Sequence, residues 1–385
     1  MSRFFDVVIA GAGIMGLSIA YYLKKKGDVR VLVLEKEQSW ITGSTAKANG
    51  GFRLQFSNPI NIRLSQLSIP VLKTFHQEFE VDISFGQHGY LFVTATESGK
   101  SSLLQNLQVQ RDHGVPVEWL SPAQIGDLAP YLETTDLKGG NFCAEDGYGD
   151  SYSIAVGFGQ AALKLGASIE TGTPIVDVLT ESDKVIGVKT ENETIHTSNL
   201  VNAAGPYASA VGRLAGVSVP VKPVRRMIVM TEEFPQIPEG IPMIIDVDSG
   251  FFMRTESGRV LMGWSDPDEP VGYCTSFDPN FVDAVAERAI ARVPLLKSAQ
   301  INTRKSWAGL YAISPDYHCI LGEADHLAGF FLANGFSGHG MMHAPAVGMI
   351  LSDLIIEGKT GLIDLEAVSL ARFGTQDSAG EQIVI

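Results

Sequence analysis

Cysteine is scarce. The 385 residues contain three, Cys143, Cys274 and Cys319, an odd number at wide spacing with no C-x-x-C. That excludes a disulfide scaffold and a cysteine-rich zinc or iron–sulfur site, and it fits a reducing, cytoplasmic setting. Positive charge is in deficit: 29 Lys+Arg stand against 43 Asp+Glu, a formal net charge of −14 at pH 7. No basic run exceeds Lys24-Lys25-Lys26, so nucleic acid and anionic membrane surfaces are poor partners. Long apolar runs are nearly absent. The exception, Val7 to Leu23, is uncharged, but Asp6 precedes it, three glycines interrupt its first half, and it opens on β-branched residues; it reads as a strand and a helix, not as a signal peptide or membrane span. No metal site is expected, because H-E-x-x-H is missing and the pair His339 and His343 begins in a glycine turn. No G-x-S-x-G elbow occurs, which disfavours a hydrolase of that type. Internal repeats and low-complexity linkers are missing too. What remains is globular: 45% hydrophobic and 19% charged residues in a chain long enough for two or three domains.

Val7-Val8-Ile9-Ala10 reads as a buried parallel strand, Leu17 to Lys26 as a helix stopped by Gly27, and Val31-Leu32-Val33-Leu34 as a second buried strand. Helical spacing continues over Ser65 to Phe79, Gln105 to His113, Ser153 to Leu165, Asp283 to Arg292 and Ala344 to Glu357. Short strands between Ile169 and His196 suggest a meander. Leu200 to Gly205 and Gly329 to Gly335 read as buried strands running into glycine turns. From Lys222 to Gly263 the alternation is that of an antiparallel sheet with one wet face. The expected fold is α/β (α+β): a Rossmann-type nucleotide-binding domain, discontinuous over residues 1–80, 145–215 and 320–385, with a substrate domain on a mainly antiparallel sheet inserted over 81–144 and 216–319.

Gly11-Ala12-Gly13-Ile14-Met15-Gly16 joins the first strand to the first helix as a G-x-G-x-x-G fingerprint. Gly11 permits the tight turn, Gly13 lets backbone approach a pyrophosphate, and Gly16 lets helix pack on strand. Glu35 ends the next strand, where an acid accepts hydrogen bonds from ribose hydroxyls and disfavours a 2′-phosphate. A second glycine-rich stretch, Gly43-Ser44-Thr45 with Asn49-Gly50-Gly51, suits the longer diphosphate–ribityl chain of FAD. Ala203-Ala204-Gly205 ends a strand that passes under the nucleotide. Gly335-Phe336-Ser337-Gly338-His339-Gly340-Met341 forms another strand-to-helix turn, whose N–H groups suit negative charge on a reduced flavin ring. No second fingerprint is present for a nicotinamide cofactor.

These segments, with Gly51-Phe52-Arg53, Trp307-Ala308-Gly309-Leu310-Tyr311 and Ser314-Pro315-Asp316, resemble the D-amino-acid oxidase superfamily of FAD oxidoreductases over nearly the whole chain. The nearest branch is that of the monomeric and beta-subunit sarcosine oxidases and the beta subunit of L-proline dehydrogenase. The resemblance implies oxidation of a C–N bond in a small amino acid or N-alkyl amino acid, with hydride passing to flavin N5. It adds Lys36, Ile175 and Gly309 to the cofactor-binding set and gives three candidate catalytic residues: Arg53 at the substrate carboxylate, Tyr311 in the substrate site and His339 on the flavin loop. Departures matter as well. Met342 stands where monomeric sarcosine oxidase carries a carboxylate-binding lysine, and Leu261 where it carries an oxygen-activating lysine. That favours a dehydrogenase over a fast oxidase. The cysteine and the histidine that hold flavin covalently in relatives fall at Gly309 and near Lys47, so non-covalent FAD is expected, with Cys319 a small buried residue. Two alternatives remain: a flavin-bearing beta-type subunit that hands electrons to a partner subunit or other acceptor, and a C–O oxidising member acting on glycerol 3-phosphate or a 2-hydroxy acid.

Overall fold

A computed structural model describes residues 3–374, 380 and 381. Its first layer is a ten-stranded sheet. Five strands run parallel through its centre in the order Ser168–Glu170, Val31–Leu34, Val7–Ala10, Leu200–Asn202 and Leu327–Asn334. Val7–Ala10 and Val31–Leu34 are buried at every position, as central strands covered on both faces must be. Helices Ile14–Lys26, Ser151–Lys164 and Gly340–Glu357 pack on one another over this sheet. Of the expected meander, Ile175–Glu181, Lys184–Thr190 and Thr194–His196 are present, but its first strand, Ser168–Glu170, instead pairs in parallel with Val31–Leu34 at the sheet edge.

The second layer is an eight-stranded sheet in the order Trp307–Ile313, Lys222–Met230, Arg259–Trp264, Phe251–Glu256, Met243–Asp246, Tyr90–Thr94, Gly139–Cys143 and Glu118–Leu120. Its pairs are antiparallel except Met243–Asp246 with Tyr90–Thr94. One face packs on helix Phe281–Arg292. The other carries an apolar cluster of Tyr90, Ile228, Met243, Phe252 and Leu261, and it turns toward the segment that follows the second glycine-rich stretch. Asn49 and Gly51 touch it directly, through Arg254 and Tyr90.

Several elements differ from their sequence expectation: the helix expected over Gln105 to His113 starts eight residues earlier, at Glu97, and the sheet expected to keep one wet face carries a buried apolar cluster on each. The helix expected over Ser65 to Phe79 starts earlier, at Pro59, where Asn58 caps it by accepting from the Ile60 amide at 3.0 Å. It breaks at Thr74 into a second short helix, Phe75–Phe79. The last helix begins at Gly340, four residues before its apolar periodicity, and carries Pro345 inside it. Trp307–Ile313 is a strand that spacing did not show, because half-exposed residues alternate with buried ones only over its first five positions.

Candidate active site

The nucleotide groove is built by local sterics. Gly11 has φ +108, and a Cβ there would stand 2.7 Å from the Ala203 carbonyl oxygen; one on Gly16 would stand 2.0 Å from that of Gly11. Only glycine lets the strand Val7–Ala10 turn this tightly into its helix and pass this close to Ala203. Gly13 caps the helix with no side-chain bond, which leaves first-turn amides and the positive dipole end facing the groove. Thr45 ties the two glycine-rich stretches together: its Oγ1 accepts from the Ile14 amide at 3.1 Å. Ser44 Oγ donates to the Leu310 carbonyl at 2.6 Å.

Glu35 accepts from the amides of Ala12 at 2.9 Å and Glu37 at 3.0 Å, which fixes its carboxylate at the mouth of the groove. The Thr173 amide donates to the Glu35 carbonyl at 2.8 Å, so the chain leading into Ile175 lies alongside. Lys36 pairs with Glu37 and holds its Nζ 4.2 Å from the Tyr207 ring centre. Side chains added at Gly43 or Gly205 would meet nothing within 4 Å. A helix N-terminus whose capping residue Gly13 offers no side chain, an anchored acid, and glycines with open space beside them fit the pyrophosphate, ribose and ribityl parts of FAD.

At the far end, Asn49 accepts from Arg254 Nε through both its carbonyl and its side-chain oxygen, each at 3.0 Å. Gly50 packs on Gly149, and Gly51 on the Tyr90 hydroxyl. Gly309 lies against Lys47, where a Cβ would stand 2.6 Å from Lys47 Cβ. The turn Gly335 to His339 is locked from inside: Ser337 Oγ accepts from the Ser314 amide at 3.2 Å, the Ser337 amide donates to Ala312, and Phe336 bridges to Ile313. Gly338, at φ +100, leaves room for the Tyr311 ring. His339 caps helix Gly340–Glu357 with no side-chain bond to it, while Met15 reaches Gly340 and Met341 is buried behind.

Beside this turn sits Arg53, 1% exposed. Its Nη1 donates to the Gln55 carbonyl at 2.9 Å and its Nη2 to His339 Nε2 at 3.2 Å; its guanidinium carbon lies 4.2 Å from the Phe56 ring centre. Burial lowers the Arg53 pKa, and the nearby Glu381, Tyr90 and Asp146 oppose that. Burial, then the Arg53 charge, hold His339 well below its ordinary value. Its imidazole is therefore neutral, with Nε2 accepting and the proton on Nδ1. Tyr311 stands across the turn. Burial raises its phenol, against the pull of Arg226 and Arg53.

Sequence spacing did not signal several residues here. Asp146 is fully buried; it accepts from the Leu54 amide at 2.6 Å and from Gln55 Nε2 at 2.9 Å, bracing the chain just after Arg53. Burial pushes it up to about 7. Tyr90, Arg226 and Arg254 arrive from the second sheet. His343 stands below His339 and holds Ser65 Oγ at 3.1 Å from its Nε2. Cys319 is buried, and its thiol is pushed up to about 12 by burial. Among the described residues no group of three or more His, Cys, Asp or Glu side chains is placed to hold a metal, and no helix is long and apolar enough to cross a membrane.

Residues 6–354 match the FAD dependent oxidoreductase family, and the chain belongs to it. It is an FAD-dependent oxidoreductase. FAD-dependent oxidoreductase domain-containing protein 1 of Xenopus laevis is 31% identical over 99% of this chain and 85% of its own length. Human mitochondrial sarcosine dehydrogenase is 28% identical over 96% of this chain but only 41% of its own length. Among solved structures, L-proline dehydrogenase from P. horikoshii superposes with a TM-score of 0.90 at 29% identity, over 97% of this chain and 99% of that one.

Proposed function

We propose that this chain oxidises the C–N bond of a small amino acid or N-alkyl amino acid, a secondary amine of the sarcosine or proline kind being the simplest fit, and passes the electrons to an acceptor other than oxygen. The observation that carries this is Arg53, a buried guanidinium aimed from the second glycine-rich stretch toward the turn Gly335 to His339. Such a fork is suited to a carboxylate. The relatives named for sarcosine and proline support the amine class.

Bound FAD supplies the two-electron acceptor. The chain supplies position and field. Arg53 holds the substrate carboxylate, and Tyr311 closes the site against Gly338. The apolar face of Tyr90, Ile228, Phe252 and Leu261 excludes water. The uncapped N-terminus of helix Gly340–Glu357 favours negative charge next to it. His339 is neutral and its Nε2 is engaged by Arg53, so it takes no proton from the amine, which binds after losing its proton to solvent. Leu261, where the resemblance puts an oxygen-activating lysine, is fully buried among apolar side chains and itself carries no charge to stabilise superoxide.

The test is an anaerobic titration of the FAD-loaded protein, read by flavin absorbance, with sarcosine, L-proline, glycine, D-alanine and glycerol 3-phosphate. Bleaching by sarcosine or proline, slow recovery in air and fast recovery with an artificial dye acceptor are expected. Bleaching by glycerol 3-phosphate alone, or by none of them, overturns the proposal; fast recovery in air overturns its acceptor half.

A further inference from the structure

Arg226 stands apart from the arginines around it. Its chain neighbour Arg225 pairs with Glu269, and Arg254 and Arg259 pair with Glu256 and Glu232. Arg226 forms no ion pair among the described residues. Its Nη1 donates to the Arg225 carbonyl at 2.9 Å, and its Nε is buried with no partner. A guanidinium cannot discharge itself by giving up its proton. A partly buried one with an orphaned donor is therefore a standing demand for an anion.

Its placement says which anion. On strand Lys222–Met230, Arg226 lies directly opposite Gly309 of strand Trp307–Ile313, and paired residues project to the same face of a sheet. Tyr311, two residues on, shares that face, and the Arg226 guanidinium carbon lies 5.6 Å from the Tyr311 ring centre. Tyr311 also packs on Gly338, and the next residue, His339, touches Arg53. Arg226 thus reaches the Tyr311 ring from the sheet, while Arg53, which follows the second glycine-rich stretch, reaches His339 next to the Gly338 on which that ring packs. The phenol feels both charges.

We propose that Arg226 is the second anion-binding residue of the substrate site, so that the substrate is an amino acid carrying two carboxylates, one gripped by Arg53 and the other by Arg226, with the amine between them beside Tyr311. This rests on the C–N oxidation proposed above and narrows its substrate class. An amino acid with a single carboxylate, such as sarcosine or proline, still reaches Arg53 and can be oxidised, but it leaves Arg226 unsatisfied and so binds more weakly than one with two.

The test uses FAD-loaded protein at fixed ionic strength and acids that cannot be oxidised: butyrate against succinate, and pentanoate against glutarate, with binding read from the shift of the flavin absorbance band. The dicarboxylate is expected to bind roughly 10- to 100-fold more tightly than its matched monocarboxylate. Arg226→Gln is expected to bring it down to the monocarboxylate level, and Arg226→Lys to retain part of the gap. FAD content and melting temperature check that both variants are folded, and the comparison in the unaltered protein needs no variant. Monocarboxylates binding as well as dicarboxylates would overturn the Arg226 assignment while leaving C–N oxidation standing. So would an Arg226→Gln variant that loses FAD but keeps the dicarboxylate preference. Failure of all four acids to shift the flavin band would overturn both.

Discussion

Gly309 and Lys47 meet side by side, although 262 positions separate them in the chain. The resemblance puts the flavin-bonding cysteine and histidine of relatives at Gly309 and near Lys47, and here one has no side chain and the other ends in an ammonium. Cys319, the cysteine nearest in sequence, is buried with a thiol pushed up to about 12, so it is not a thiolate nucleophile. The flavin is accordingly expected to be held without a covalent bond. Acid precipitation of the FAD-loaded protein should leave all the yellow colour in the supernatant, and colour retained in the pellet would refute this. The same two residues explain why relatives cannot be imitated by one substitution. A cysteine Cβ at Gly309 would stand 2.6 Å from Lys47 Cβ, a contact that forces one of the two segments to shift.

At the scale of elements, the turn from strand Leu327–Asn334 into helix Gly340–Glu357 is the most constrained piece of the site. Gly338 sits at φ +100 with the Tyr311 ring 2.5 Å from where a Cβ would be. Gly338→Ala is expected to push Tyr311 out of place and to strain the turn, lowering FAD affinity and cutting kcat/KM on whatever amine bleaches the flavin by about 100-fold or more. FAD titration and steady-state kinetics check this, and a variant with unchanged values would show that the turn relaxes freely. Such elements were legible in the sequence to the extent that their logic is local. The fingerprint Gly11 to Gly16, Glu35 and the turn Gly335 to Met341 each announce themselves within a few residues, because the steric reason for each glycine lies in its own turn or in the adjacent strand. Asp146, Tyr90 and Arg226 carried no such signal. Each reaches the site through pairing in the second sheet or through a bond across 91 or 92 positions, as from Asp146 to Gln55 and Leu54. The last helix was legible only from Ala344, because Gly340 and Pro345 are poor helix formers that tertiary packing overrides.

The whole molecule is acidic, with a net charge of −14, yet the ground between its two sheets is cationic and holds buried titratable groups whose protonation differs from that of the unfolded chain. Burial holds His343 down to about 3, and His339 is also well below its ordinary value, so both stay neutral in the fold while the unfolded chain takes up protons near pH 6.5. Their contribution to stability is present above pH 6.5 and is lost as pH falls toward 3. Asp146 works in the opposite sense. Its pKa is raised from the ordinary carboxylate value to about 7, so the fold keeps a proton that the unfolded chain releases near pH 4, and its contribution is lost as pH rises from 4 through 7. Between pH 4 and 6.5 the two histidines outweigh the one acid. His343→Gln is therefore expected to flatten the dependence of unfolding free energy on pH by about one proton, about 1.4 kcal/mol per pH unit, over that window. Asp146→Asn should steepen it by a similar amount. Urea unfolding of the FAD-loaded protein and both variants at pH 4.5, 5.5 and 6.5 measures the slopes. Three parallel lines would mean that water reaches these groups and that the ground between the sheets is not the dry, charge-selective site from which substrate recognition by Arg53 follows.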